Sequence, residues 1–168
     1  MEPNTMLALG KISLGLIMGF GALGSALGVL AAGSAAAAGW AKEGKEGKPL
    51  SGTFTMLVGM PVSQTLYCLI CYFMMFKYVN IAENGPVLFG IALGVGFAQF
   101  ISAFAQGKIG GAGVRCLSEN GGKGFGNIVM AMGIAESIAL FALVTAILIL
   151  TNLQVMIQPI TATAPAVG

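Results

Sequence analysis

Four long apolar stretches alternate with three short polar connections along the chain. Each stretch exceeds the roughly 20 residues that a helix needs to cross a bilayer, so the pattern predicts four membrane spans. The connections are short enough to join neighbouring spans as antiparallel hairpins. The predicted spans run from about Met6 to Gly39, Thr53 to Tyr78, Pro86 to Val114 and Phe125 to Leu153.

The polar connections divide the chain into two predicted transmembrane hairpins. The first hairpin covers residues 1–79, a short connection covers 80–85, and the second hairpin covers 86–168. We expect the residues after Asn152 to form a loosely ordered tail. The fold class predicted is an all-α integral membrane protein with four transmembrane helices.

The composition agrees with a membrane protein and excludes several other classes. Hydrophobic residues make up 57% of the 168 residues, charged residues only 8%, and the mean hydropathy is +0.90. A soluble domain carries about 25% charged residues, so a soluble enzyme is excluded. The chain has no histidine and a net charge of only +2, which excludes histidine-based sites and a basic nucleic-acid surface.

The first ten residues contain no lysine or arginine. A signal peptide begins with a positively charged region, so we expect no signal peptide and retention of the first span.

Cys68 and Cys71 have CxxC spacing inside an apolar stretch. We interpret both as small residues packed between helices rather than as a redox or metal pair.

Positive charges are distributed unevenly between the two ends of the predicted spans. Six lie at or near the first and third connections, whereas only Lys11 and Lys77 lie near the opposite ends. Positive residues favour the cytoplasmic side, so the first and third connections are predicted to be cytoplasmic and both termini extracytoplasmic. The six are Lys42, Lys45, Lys48, Lys108, Arg115 and Lys123.

The two hairpins form an internal repeat. The segment AAGSAAAAG at 31–39 aligns with AQGKIGGAG at 105–113, and MPVSQ at 60–64 aligns with MGIAE at 132–136. Gln64 therefore occupies in the first hairpin the place that Glu136 occupies in the second. Three glycines of the first span also match three of the third: Gly15, Gly19 and Gly21 with Gly90, Gly94 and Gly96.

Small and bulky residues are divided between alternate spans. The first and third spans carry glycines at small-xxx-small spacings, which let helix backbones approach closely in lipid. The second and fourth spans carry the large apolar side chains. We call the glycine-rich first and third spans slim and the second and fourth spans bulky. We expect the slim spans to pack as an inner layer and the bulky spans to lie outside, facing lipid.

Glu136 is the one ionisable side chain predicted to lie deep inside a span. An unpaired carboxylate there costs several kcal/mol and indicates function. No lysine or arginine is predicted at the same depth. The alternatives are that a proton or a bound cation neutralises the charge, or that a protonated glutamate only bonds a neighbouring helix.

The second span presents oxygen-bearing groups that are candidates to help Glu136. Met60, Ser63, Gln64 and Tyr67 have i, i+3, i+4, i+7 spacing and so share one helical face. Pro61 next to them distorts the helix and could make the Met60 carbonyl available, and Gln106 adds an amide from the third span. One carboxylate with several neutral oxygens suits a monovalent cation, although simple helix–helix hydrogen bonding would also explain these amides.

On these features the sequence resembles the membrane rotor subunit of V-type rotary ATPases, also called the K, c or proteolipid subunit. The resemblance rests on the duplicated hairpin, the slim first and third spans, AQGKIGGAGV at 105–114 and the Gln64/Glu136 exchange. It implies a non-catalytic subunit in a ring of about ten copies. It also implies a stator subunit with an essential arginine and a central-stalk subunit at the cytoplasmic loops.

Sodium-transporting members of this family resemble the chain at MPVSQTLY, residues 60–67. The resemblance implies Na⁺ ligands from the Met60 carbonyl, Ser63, Gln64, Gln106 and Glu136, with Tyr67 holding the carboxylate. Some sodium-type members have threonine at the Ser63 position. Residues 110–115, GGAGVR, resemble proton-type relatives, so H⁺ remains the alternative to Na⁺. The oxygen-rich second span indicates a bacterial cell membrane.

Two other classes are weaker alternatives. A small drug exporter with four helices also uses one membrane glutamate, but that residue is usually in its first helix and its charge bias is weak. A non-transporting scaffold would tolerate the loss of Glu136. Neither class explains a duplication in which Gln64 matches Glu136.

Overall fold

The described residues form a bundle of long helices in which four segments are long and apolar enough to cross a membrane. The computed structural model describes residues 1–162, with side chains as far as Leu153. No strand occurs among these residues, so the all-α prediction is confirmed. The helices are α1 (Pro3–Lys45), α2 (Gly52–Gly59), α3 (Ser63–Phe76), α4 (Gly85–Glu119) and α5 (Phe125–Ala162).

Several helices extend beyond the apolar stretches that predicted them. The helix α1 continues through Lys42 to Lys45, and α4 continues through Arg115 to Glu119. Lysine and glutamate are good helix formers, so the helix persists after hydrophobicity ends. With 43 residues, α1 is about 65 Å long, against about 30 Å of hydrocarbon. The ends of α1 and α4 therefore project from the membrane.

The fourth apolar span ends at Leu153, as predicted, but its helix α5 continues to Ala162. The residues after Asn152 therefore begin as helix rather than as the loosely ordered tail that we expected, and residues 163–168 lie outside the described residues.

The connection between α4 and α5 turns on glycines in left-handed conformation. Gly121, Gly122 and Gly124 have φ values of 60°, 84° and 95°. Side chains with a Cβ atom rarely adopt this conformation. The glycine-rich segment is therefore what allows the chain to reverse within five residues.

The second span is broken near its middle. A short 3₁₀ turn at Met60–Val62 separates α2 from α3. Pro61 sits in this turn because it has no N–H to donate to an α-helical bond. Its ring is buried against Gly28 of α1, so the break is held in place by packing.

The slim helices α1 and α4 pack backbone to backbone. A methyl group at Gly24 would lie 2.6 Å from the Cα of Phe100, and one at Gly28 would lie 2.5 Å from the carbonyl oxygen of Ala103. Gly107 faces Gly28 even more closely. The predicted close approach of the small-residue spans is therefore confirmed, and it joins the two hairpins to each other.

The larger helices pack outside this pair, α3 on α1 and α5 on α4. Of their bulky side chains, Phe73, Phe141 and Leu148 are exposed, as expected for a surface that faces lipid. Met75 and Leu143 are buried instead, in the apolar cluster near the termini. Cys68 and Cys71 lie in the same cluster as free thiols, in agreement with their interpretation as packing residues.

Two apolar clusters lie toward opposite ends of the bundle. One contains Ile17, Met75 and Leu150, and the other contains Phe54 and Met132. Between them along the helices, buried polar side chains from α3 and α4 meet α5. This polar layer positions the candidate site.

Candidate functional site

The carboxylate of Glu136 is held by side chains from two neighbouring helices. The hydroxyl of Tyr67 on α3 donates to Oε1 over 2.8 Å, and the amide of Gln106 on α4 donates to Oε2 over 3.4 Å. Glu136 itself is half-buried on α5. Both carboxylate oxygens therefore have a neutral donor, one from each hairpin.

No positive side chain among the described residues pairs with this carboxylate. Within the described part of the chain, the one ion pair joins Lys48 to Glu46 at 2.7 Å in the loop after α1. The neutral donors alone do not cancel the negative charge of Glu136 at this depth.

Gln64 is completely buried and its amide is oriented by two acceptors. Its Nε2 donates to Oγ of Ser102 over 3.2 Å and to Oε1 of Gln106 over 3.3 Å. Both amide hydrogens are thereby used, which turns Oε1 toward Ser63 at 3.2 Å. The two acceptors on α4 therefore fix the orientation of the Gln64 amide group.

Ser63 connects this amide to the break in the second span. Its hydroxyl lies 3.1 Å from the carbonyl oxygen of Met60 and 3.2 Å from Oε1 of Gln64, so one proton is shared between two acceptors. The 3₁₀ turn at Pro61 brings the Met60 carbonyl to this position. That carbonyl accepts from both the hydroxyl and the backbone N–H of Ser63, so its availability to an ion stays a prediction.

The structure brings all six predicted residues into one hydrogen-bonded chain. It runs from the Met60 carbonyl through three side chains to Glu136 and ends at Tyr67. The Met60 carbonyl of the 3₁₀ turn and side-chain oxygens from α3, α4 and α5 thus lie along one chain of hydrogen bonds. Their role as ligands of an ion stays a prediction. The three intermediate side chains are Ser63, Gln64 and Gln106.

Two buried polar residues of the layer were missed by the sequence analysis. Ser102 accepts from Gln64 and donates to the Ala135 carbonyl over 2.7 Å, while Gln99 donates to the Ala139 carbonyl over 2.8 Å. Their i, i+3, i+7 spacing with Gln106 places all three on one face of α4, which was the available signal.

A comparison with protein-family models gives a match that covers both hairpins. The family model for the C-subunit of ATP synthase matches residues 12–75 and again residues 89–149. Two consecutive matches confirm the predicted duplication. No curated protein matches the chain.

Members of this family form oligomeric rotor rings with the a subunit in the ion translocation of rotary ATPases. Together the two matches span well over half of the chain, and the four apolar helices agree with a multi-pass membrane protein. The chain therefore belongs to the ATP synthase C-subunit family and is a non-catalytic rotor proteolipid of a rotary ATPase.

Proposed function

We propose that the chain is the rotor-ring subunit of a V-type ATPase and that it carries one Na⁺ at Glu136. The observation that supports this most directly is the position of the Glu136 carboxylate. It lies in the middle of a span, within hydrogen-bonding distance of Tyr67 and Gln106, and no lysine or arginine pairs with it among the described residues.

The neighbouring oxygens suit a small monovalent cation. Oε1 of Gln64 and Oε1 of Gln106 are hard, neutral ligands, and Ser63 and the Met60 carbonyl add two more. With one carboxylate, a bound Na⁺ makes the site neutral. The long contact between Gln64 and Gln106, 3.3 Å, is weak enough for the ion to replace it.

Neutralisation is what allows the site to turn through lipid. Na⁺ enters through the stator, binds ionised Glu136 and removes the charge penalty of exposure to hydrocarbon. When the site returns to the stator, an arginine there stabilises the bare carboxylate and releases the ion. Gln64, at the matching place in the repeat, does not ionise, so each copy of the chain carries one ion rather than two.

A proton is the alternative cargo. It is favoured by the closed hydrogen-bond chain in which Oε1 of Gln106 already accepts from Gln64. A protonated Glu136 would be neutral, with its hydroxyl donating to the Tyr67 oxygen and its other oxygen accepting from Gln106. The two cargoes can be distinguished by the effect of Na⁺ on Glu136. If the site binds Na⁺, added Na⁺ competes with protonation of Glu136, and if the site carries only H⁺, added Na⁺ has no effect on protonation.

Carbodiimide labelling of the purified ring tests the proposal. The reagent modifies a protonated carboxyl group, so Na⁺ is expected to slow labelling of Glu136 in a concentration-dependent way, whereas K⁺ does not. The exposed Glu119, measured in the same digest, reports any general effect of salt. Labelling that Na⁺ leaves unchanged would identify H⁺ as the cargo.

The number of copies tests the assignment to a rotor. Native mass spectrometry of the detergent-extracted assembly is expected to give one closed ring of many subunits. A dimer would instead support the exporter alternative and contradict the proposed function.

A further inference from the structure

One face of α4 is joined to α5 at three successive levels. Gln99 donates to the carbonyl of Ala139 over 2.8 Å and Ser102 donates to that of Ala135 over 2.7 Å. At the third level, Gln106 donates to the carbonyl of Met132 over 3.2 Å. We call these three bonds the α4–α5 ladder. Its acceptors lie on both sides of Glu136 in the sequence.

The ladder constrains α5 in two ways. Its acceptors, residues 132–139, span about 10 Å along the helix. A slide of α5 by half a turn, about 2.7 Å, or a rotation of α5 about its own axis, would separate all three donors from their acceptors. Because the acceptors are main-chain carbonyls, the constraint acts on the helix as a whole and does not depend on α5 side-chain rotamers.

We propose that Gln99 and Ser102 are positioning residues that hold Glu136 where Tyr67 and Gln106 can reach it. This inference rests on the proposed function of Glu136 as the ion carrier. No hydrogen bond among the described residues joins Gln99 to Glu136 or to the predicted ligands, so Gln99 acts only through the placement of α5.

Ser102 has a second effect on the site. Its oxygen accepts from Nε2 of Gln64 over 3.2 Å while its hydrogen goes to Ala135. The same hydroxyl therefore fixes the height of α5 and turns Oε1 of Gln64 toward Ser63. Loss of the Ser102 hydroxyl disturbs a predicted ion ligand and the carboxylate together.

The burial of Gln99 makes it possible to separate positioning from stability. The side chain is completely buried, and its Oε1 has no hydrogen-bond partner within the described residues. A buried acceptor without a partner destabilises the fold. Leucine has a similar size and no such acceptor, so Gln99→Leu is expected to melt no lower than the original protein although it loses the bond to Ala139.

The test measures the Na⁺ concentration that halves carbodiimide labelling of Glu136 in assembled rings. Gln99→Leu and Ser102→Ala are each expected to raise it about 3- to 10-fold, the worth of one hydrogen bond. The control is Thr145→Val, which removes a hydroxyl bonded within α5 itself, to Phe141. It should stay within about twofold.

Half-protecting concentrations equal to that of the original protein in both variants would overturn the proposal. Gln99→Leu alone decides the matter if Ser102→Ala does not fold, and an equal value would then refute it. Weaker Na⁺ protection at an unchanged or higher melting temperature excludes a merely structural role for Gln99, whereas tighter protection contradicts positioning.

The outcome is separable from that of the proposed function. If Na⁺ does not protect Glu136 in the original protein, sodium transport is refuted, and the ladder is judged on the labelling rate without Na⁺ at fixed pH. Release of the carboxylate from Tyr67 is then expected to speed labelling about threefold or more in Gln99→Leu. An unchanged rate would overturn the ladder itself.

Discussion

Tyr67 and Glu136 are joined across the two hairpins by a hydrogen bond of 2.8 Å from the phenol to Oε1 of the carboxylate. The two residues are 69 positions apart in the chain, on α3 and α5. A carboxylate at the surface of a membrane bundle is thereby tied to a neighbouring helix. How firmly it is tied decides how easily the ion enters and leaves.

Tyr67→Phe is expected to weaken Na⁺ binding without loss of ring assembly. The variant removes one hydrogen bond to the carboxylate, so the Na⁺ concentration that half-protects Glu136 should rise about 3- to 10-fold. Tyr72→Phe, on the same helix, removes the same atom without touching Glu136 and is the control. An unchanged half-protecting concentration would show that the phenol does not hold the carboxylate in the loaded state.

Glu136→Gln is expected to abolish ion transport and leave the ring intact. The amide keeps the size of the side chain but has no negative charge to bind and release an ion. ²²Na⁺ uptake by the ATPase in vesicles gives the transport rate, and native mass spectrometry gives assembly. Glu83→Gln, an exposed site beside α4, is the matched control; transport retained in Glu136→Gln would remove the residue from the mechanism.

The hydroxyl group at position 63 is expected to be needed for Na⁺ binding, whereas an added methyl group at this position is expected to have little effect. Ser63→Ala deletes the oxygen that lies between Met60 and Gln64, and half-protection should require about tenfold more Na⁺. Ser63→Thr keeps the oxygen and should stay within about threefold. If the two variants behave alike, the hydroxyl is not an ion ligand.

Gly28→Ala is expected to destabilise the subunit. The new methyl would lie 2.5 Å from the Ala103 carbonyl oxygen and 2.7 Å from Cβ of Pro61, so α1 and α4 must move apart. Overpacking of this kind costs about 1–3 kcal/mol, measured as a lower denaturation midpoint in detergent. At Gly44, within α1, a methyl meets nothing within 4 Å, and Gly44→Ala should unfold no more easily than the original because alanine favours the helix.

The proposed orientation predicts opposite reactivity for two introduced cysteines. In a Cys116→Ser background, Lys48→Cys should react with an impermeant maleimide only after the membrane is opened, since it lies in a predicted cytoplasmic loop. Glu83→Cys, in the connection between the hairpins, should react in intact cells. The reverse pattern would invert the proposed topology.

Periodicity was sufficient to predict part of the site. The spacing of Ser63, Gln64 and Tyr67 places them on one face, and these side chains do lie in one polar layer. Gln106 was also a candidate, as an amide in the third span, but periodicity could not show that it meets Gln64, because two helices are related only by packing. Ser102 and Gln99 were missed although their spacing with Gln106 places them on one face of α4, because the α5 carbonyls that accept their hydrogen bonds carry no signal in the sequence.

The positions of the four spans were predictable from the sequence, whereas the ends of the helices and most contacts between them were not. Hydropathy located all four spans, since lipid demands a continuous apolar surface. Hydropathy predicted ends for α1 and α4 that are too early, because charged residues such as lysine and glutamate also form helices where the chain leaves the lipid. Which helices touch was foreseeable only where glycines such as Gly24 and Gly28 invite contact.

The contact of Gly28 with Gly107 has a consequence for how this duplicated chain can change over time. This very close backbone approach joins one copy of the repeat to the other. A larger residue at either glycine would destabilise the contact unless the residue opposite became smaller or the helices moved apart. The two copies can therefore differ in their polar side chains, as at positions 64 and 136, while the residues at their shared backbone contact must stay small.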